Sequence, residues 1–243
     1  MARDTGLLTR AAHTGECVFS VYSWSRPTVS FGRNQPSRGA YDTGRMRALD
    51  LDVVRRPTGG RAILHHREVT YSVTAPLAEW PSLRETYNRI NAILLRGLAT
   101  LGIAAESAMP VGRAPGPSLL PCFESPTQGE LVANGAKLVG SAQCRDESSL
   151  LQHGSILVDD DQSSLLNVVS DDSRASIGPL SRPATLHSLL GRPPAADEVA
   201  AALFDAVREM EDESATSISE DEIREETLRH VPRYLDEEWT WRR

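Results

Sequence analysis

The sequence predicts an α+β fold: a mixed, largely antiparallel β-sheet flanked by helices. Three observations carry this. Short alternating runs rich in β-formers recur along the chain, beginning with residues 17–24 (CVFSVYSW). An Asn134-Gly135 pair between two apolar runs marks a tight hairpin. Amphipathic helical patterns lie between and after the strands, most clearly over residues 82–101.

Taken in order, residues 2–13 read as a short helix with Leu7, Leu8 and Ala11 on one face. Residues 17–24 read as a strand that holds Cys17 in the core. Residues 28–32 make a second short strand, 42–49 a helix and 51–55 a strand running into a loop. Residues 62–64 and 69–74 are strands around His65 and His66. Ser82 caps the helix of 82–101, whose stripe is Ile90, Ile93, Leu94, Leu98 and Leu101. Residues 109–120, rich in proline and glycine, read as a mobile loop leading to Cys122. Residues 130–143 form the hairpin and 150–158 the next strand. A short helix over 163–169, a helical turn near His187 and helices over 197–210 and 219–229 follow, the last capped by Ser219 with Glu222 at capping-box spacing. The aromatic end, Trp239-Thr240-Trp241, is expected to dock on the body.

Length and composition bound the rest. A chain of 243 residues with 40% hydrophobic and 24% charged residues fits a single soluble globular domain over 1–243, helical from about residue 195. No apolar run reaches the roughly 18 residues a membrane span needs. The start of the chain is charged and lacks an apolar leader core, so no secretory signal is expected. Three cysteines without a C-x-x-C imply reduced thiols and a cytoplasmic location. A net charge of −7 argues against general nucleic-acid binding. The acidity is concentrated over residues 197–238, whereas Arg55, Arg56, Arg61, Lys137 and Arg145 form a basic region suited to an anionic ligand or an acidic partner.

Chemistry concentrates in two stretches. Arg55-Arg56-Pro57-Thr58-Gly59-Gly60-Arg61 follows a strand; its glycines let backbone approach a ligand and its arginines supply forked donors, although it could also be a plain turn. It has neither the phosphate-loop nor the dinucleotide-loop glycine spacing. Residues 121–158 hold Cys122, Cys144, the His153-Gly154 pair and Lys137, the one lysine among 26 basic residues. Lysine is a compact ammonium whose basicity responds to its surroundings, unlike arginine. Its survival here suggests chemistry, with chance the competing explanation. The adjacent His65 and His66 have no third ligand at metal spacing, so no metal is expected and His65 is read as a hydrogen-bonding or substrate-lining residue.

The motifs, in order and spacing, resemble the lipoate/biotin protein ligase superfamily. They are the Arg55–Arg61 loop, Leu64-His65, Thr70-Tyr71-Ser72-Val73, Lys137-Leu138-Val139-Gly140-Ser141-Ala142-Gln143 and Leu151-Gln152-His153-Gly154-Ser155, which together span about half the chain. Pro121-Cys122-Phe123-Glu124-Ser125-Pro126 and the closing Asp236-Glu237-Glu238-Trp239-Thr240-Trp241 are similar to the cysteine-dependent octanoyltransferases of Gram-positive bacteria. The resemblance implies that octanoyl passes from acyl carrier protein to Cys122 as a thioester. From there it passes to the lysine of a lipoyl domain, in the E2 subunits of 2-oxoacid dehydrogenases or the glycine cleavage H protein. Lys137 is then the lysine beside the nucleophile. The implied substrate-binding residues are Arg55, Arg56, Gly59, Gly60, His65, Tyr71, Gly140, Ser141, Ala142, His153 and Gly154.

The residues support this chemistry. A nearby ammonium favours thiolate, and a thioester keeps the acyl group activated without ATP, so no cofactor is expected. Cys144 is the rival nucleophile. It lies seven residues after Lys137, and strand alternation puts it on the opposite face, which points to a packing role. Two departures from the family pattern stand out: no extra strand precedes the first helix, and His66 replaces an aspartate. The alternatives are an ATP- and Mg-dependent lipoate ligase, an amidotransferase moving octanoyl or lipoyl between lipoyl-bearing proteins, and a non-enzymatic module that binds lipoyl domains or an acyl group.

Overall fold

The computed structural model describes residues 1–80, 82–108, 122–124, 129–175, 177 and 180–242. The stretch 109–120, read as a mobile loop, lies outside them. The chain runs α1 (Ala2–Thr14), β1 (Val18–Tyr22), β2 (Thr28–Phe31), α2 (Thr43–Ala48), β3 (Asp52–Arg55), β4 (Ile63–His65), β5 (Glu68–Pro76) and α3 (Leu83–Thr100). It continues through β6 (Glu106–Ser107), a 3-10 turn (Cys122–Glu124), β7 (Leu131–Ala133), β8 (Ala136–Arg145) and β9 (Ser149–Leu157). A second 3-10 segment (Gln162–Val168), α4 (Asp171–Arg174), α5 (Leu186–Leu190), α6 (Ala196–Met210), α7 (Arg224–Leu235) and α8 (Glu237–Thr240) complete it.

The strands divide into two sheets. The larger has the order β1-β5-β9-β8-β7-β6, with antiparallel neighbours throughout. The smaller has the order β3-β2-β4, and its β2–β3 pair is the parallel one. The fold is therefore the expected α+β arrangement, with the mixed pairing confined to the small sheet.

Both faces of the large sheet are covered: every residue of β5 and of β9 is buried. The two faces differ in chemistry because side chains alternate along a strand. Val69, Tyr71, Val73 and Ala75 share one face with Val139, Leu150 and Ile156, and there they pack on Ile90, Leu94 and Leu98 of α3 and on Val199 and Leu203 of α6. Thr70, Ser72 and Thr74 share the other face with His153, Ser155, Gly140 and Ala142. This second interior is polar, and α1 lies against it. A separate apolar cluster around Val29, Phe31, Tyr41, Met46 and Leu64 backs the small sheet.

The hairpin forms at Asn134-Gly135, whose φ values of 51° and 75° are the left-handed pair that a two-residue turn requires. One irregularity follows it. Val132 pairs with Lys137 but Leu131 pairs with Val139, a β-bulge at Leu138. The extra residue reverses the alternation beyond it. Lys137 thus shares its face with Gly140, Ala142 and Cys144, which corrects the expectation that Lys137 and Cys144 lie on opposite faces.

Other boundaries shifted for local reasons. Cys17 precedes β1 and is exposed rather than core. Ser219 and Glu222 do exchange capping hydrogen bonds, Ser219 N–H to Glu222 Oε2 at 2.8 Å and Glu222 N–H to Ser219 Oγ at 3.3 Å. They close a turn, and α7 starts only at Arg224 and runs on to Leu235 through Pro232. The aromatic end docks as expected: Trp241 packs on Phe31 at 5.4 Å between ring centres.

Candidate functional site

A cavity of about 340 Å³ lies between the polar face of the large sheet and the loop joining β3 to β4. Three elements supply most of its wall. The loop supplies Arg56, Gly59, Gly60 and Arg61; β8 supplies Lys137, Gly140, Ser141 and Ala142; β9 supplies His153, Gly154 and Ser155.

The loop is wound around the Arg56 guanidinium. That group donates to the Gly59 carbonyl (2.9 and 3.1 Å), the Arg61 carbonyl (2.7 Å) and the Ser30 carbonyl and hydroxyl (3.1 and 3.0 Å). Gly60 has φ 95°, a conformation that side chains resist. Its carbonyl also presses on the residue just after β2, where a Cβ on Gly32 would lie 1.9 Å from it. Arg55, one residue earlier, points away from the cavity. Its buried guanidinium donates to the carbonyls of Gly32 (2.6 Å), Gln35 (2.8 Å) and Thr240 (2.9 Å) and to Ser37 Oγ (2.6 Å).

Two histidines face the cavity in fixed orientations. His153 Nδ1 lies 3.0 Å from Asp4 Oδ2 and its Nε2 lies 2.7 Å from Thr58 Oγ1. A carboxylate can only accept, so Nδ1 carries the proton and the Thr58 hydroxyl donates to Nε2. Burial lowers the His153 pKa against the upward pull of Asp4, which keeps the imidazole neutral. His65 is held in the same manner, Nδ1 to Glu68 Oε1 at 2.8 Å and Nε2 to Ser30 Oγ at 2.7 Å, and stacks on Trp24 at 4.2 Å. Tyr71 lies behind the cavity on the apolar face. Its hydroxyl meets Ser141 Oγ at 2.6 Å and Gln152 Nε2 at 2.8 Å, and burial pushes its pKa up to about 12. Gly154 must be glycine because a Cβ there would lie 2.6 Å from the Tyr71 ring and 2.5 Å from the Gly140 carbonyl.

Cys122 and Lys137 meet at the cavity wall. The Cys122 N–H donates to the Ala62 carbonyl at 2.8 Å, and Phe123 is buried against Ile63 and Leu157. These contacts fix the short turn on β4. Lys137 Nζ donates to the Cys122 carbonyl at 2.7 Å and lies 3.5 Å from Cys122 Sγ and 2.7 Å from Glu130 Oε1. Phe123 presents its ring to the same ammonium at 5.0 Å. The arrangement places a thiol, a lysine Nζ and a cavity together, a set of groups that acyl transfer through a thioester can use.

Comparisons with known proteins give the family and the fold. The family described as lipoyl protein ligase A/B catalytic domain matches residues 1–208. The chain belongs to that family. It is 38% identical over 241 residues to Octanoyltransferase LipM of Kyrpidia tusciae, covering 92% of this chain and 86% of that protein. It is 32% identical over 241 residues to Octanoyltransferase LipM of Lysinibacillus sphaericus, covering 93% and 87%. Its fold matches the bi-partite lipoate protein ligase of Thermoplasma acidophilum with a TM-score of 0.74 at 20% identity, over 99% of this chain and 89% of that one.

Of the residues that the lipoyl ligase resemblance singles out, the structure brings Cys122, Lys137, Arg56, Gly59, Gly60, His65, Gly140, Ser141, Ala142, His153 and Gly154 to the cavity. Arg55 and Tyr71 stand behind it. Cys144 is about 20 Å from Lys137 along β8, and burial pushes its thiol up to about 11, the opposite of activation. Distance, rather than strand parity, separates it from the centre. His66 bonds Asp161 at 2.5 Å, away from Cys122. Among the described residues no group of three or more His, Cys, Asp or Glu could hold a metal ion, and no helix is long and apolar enough to cross a membrane.

Glu130 escaped the sequence reading. The signal was present: an Asn-Gly turn pairs Val132 with Lys137, and Glu130 lies two residues further along the same face, at diagonal-neighbour distance.

Proposed function

We propose that this protein is an octanoyltransferase of protein lipoylation that carries the acyl group as a Cys122 thioester. The observation that supports it is the Lys137 ammonium 3.5 Å from Cys122 Sγ at the wall of the cavity. In the first half-reaction the Cys122 sulfur attacks the carbonyl of octanoyl-acyl carrier protein. The C–S bond to the carrier breaks, and the thiol proton ends on the departing sulfur. In the second, the amine of a lipoyl-domain lysine attacks the Cys122 thioester, an amide forms as the acyl C–S bond to Cys122 breaks, and one amine proton returns to the Cys122 sulfur. Lys137 faces the charge that develops in both steps. The Gly59-Gly60 loop and Gly140, Ser141 and Ala142 enclose the acyl chain. Lipoyl domains of E2 subunits and the glycine cleavage H protein are the acceptors, and the reaction proceeds in the cytoplasm without ATP, because the thioester is already activated. The expected basic docking region is not at the surface: Arg55, Arg56, Arg61 and Lys137 are all buried, so Arg56 and Arg61 act inside the cavity rather than on a docking face.

The test is transfer itself. The protein is incubated with a lipoyl domain and either octanoyl-acyl carrier protein alone or free lipoate with ATP and Mg. Mass gain of the lipoyl domain in the first mixture supports the proposal. Gain only in the second assigns the protein to the ligases.

A further inference from the structure

We propose that Glu130 is the positioning residue of the acyl-transfer centre, acting through Lys137. A lysine ammonium has three N–H donors. Here they meet the Cys122 carbonyl, Glu130 Oε1 and Cys122 Sγ at 2.7, 2.7 and 3.5 Å. The Lys137 side chain is 1% exposed and that of Glu130 5%, so the ammonium must find its acceptors within the protein. The carbonyl and the carboxylate fix two of the three donors, and the third is left aimed at the sulfur. Without Glu130 the ammonium would hang from one acceptor on a flexible four-carbon stem, with no counter-charge in a dry site.

The bulge at Leu138 makes this geometry possible. It keeps Lys137 on the face of Glu130 at the hairpin end while bringing Gly140 onto the same face. A Cβ at Gly140 would lie 3.2 Å from Lys137 Cε and 3.3 Å from Phe123, so the lysine stem crosses directly over this glycine. Glu130 also lines the cavity, and its 2.7 Å contact with Lys137 Nζ is the route by which it sets where the remaining Lys137 N–H points. The Cys122 sulfur forms and then releases the acyl bond, so that N–H serves both half-reactions.

The inference rests on the octanoyltransferase reading, and its test separates the two. Single-turnover rates of Cys122 acylation from octanoyl-acyl carrier protein, and of transfer to a lipoyl domain, are measured on the full chain. The variants are Glu130→Ala, Glu130→Gln, Lys137→Met and the double variants that combine each Glu130 change with Lys137→Met. Glu130→Ala is expected to slow both half-reactions roughly ten- to a hundredfold, with the affinity for the octanoyl donor unchanged. Glu130→Gln keeps an oxygen acceptor and recovers part of the loss. In the Lys137→Met background, removing Glu130 should cost less than about twofold, because the residue has nothing left to position. Losses that multiply, so that Glu130 costs the same factor with or without Lys137, would overturn the proposal. If Glu130→Ala fails to fold by circular dichroism, the Glu130→Gln cycle carries the same comparison. A wild-type protein that takes no octanoyl from the carrier would overturn the underlying reading instead.

Discussion

At the scale of single residues, the account turns on which cysteine meets which cation. Cys122→Ala is expected to abolish transfer, whereas Cys144→Ala leaves most of it; turnover of the two variants under identical conditions checks this. Lys137→Arg is expected to lose most activity although it keeps the charge, because a planar guanidinium cannot satisfy the Cys122 carbonyl, Glu130 and the sulfur from one nitrogen. A fully active Lys137→Arg protein would reduce the lone lysine to coincidence. His153 yields a pH prediction. Its buried imidazole is neutral in the fold and its pKa lies below the ordinary 6.5, so below about pH 6.5 the unfolded chain binds a proton that the folded chain resists. Stability should therefore fall as the pH drops below 6.5, and His153→Gln should flatten that slope in a series of thermal melts. His230, shifted the same way by burial, leaves a residual slope in the variant. The sequence displayed Cys122 and Lys137 openly, one by its motif and the other by its solitude. It could not display that Lys137 and Cys144 share a face, because the bulge at Leu138 reverses the alternation from which faces are counted.

At the scale of elements, the strands and helices with clear periodicity were legible. The stripe of α3 and the Asn-Gly hairpin appear where the pattern placed them, because each rests on local chemistry: the Ser82 hydroxyl accepting the Glu85 N–H at 3.2 Å, and two left-handed turn residues. The extent of α7 was not legible. Pro232 reads as a stop, yet the helix passes through it and packs along α1, with the Tyr234 hydroxyl 2.6 Å from Thr5 Oγ1. Tertiary contact overrode the local breaker. The crossing of β8, β9 and β5 supplies a sharper test. Gly154→Ala would drive a methyl group into the Tyr71 ring and the Gly140 carbonyl, and backbone cannot yield there as a flexible side chain would. The substitution is expected to destabilise the fold by about 1–3 kcal/mol or more, read from chemical denaturation; a neutral Gly154→Ala would show that the sheet is looser there than described.

At the scale of the whole molecule, the end of the chain is tied to the loop that builds the cavity. Trp239 Nε1 donates to the Arg55 carbonyl at 2.8 Å and the Arg55 guanidinium donates to the Thr240 carbonyl at 2.9 Å, a reciprocal clasp across about 185 residues of sequence. Arg55 looked like a substrate ligand because a linear motif does not show which of two adjacent arginines turns outward. Successive strand residues point to opposite faces, so Arg56 enters the cavity loop and Arg55 does not. Arg55→Met should lower the thermal midpoint, since it leaves several buried acceptors unpaired, while the KM for the acyl donor stays near wild type. A raised KM without loss of stability would return Arg55 to the binding site. The central claim is that the acyl group rests on Cys122 between donor and acceptor. The most direct measurement is intact-protein mass spectrometry after mixing with octanoyl-acyl carrier protein in the absence of ATP. The account predicts a single octanoyl adduct that hydroxylamine removes and that Cys122→Ala lacks. An unmodified wild-type protein, or an adduct that survives in Cys122→Ala, would contradict it.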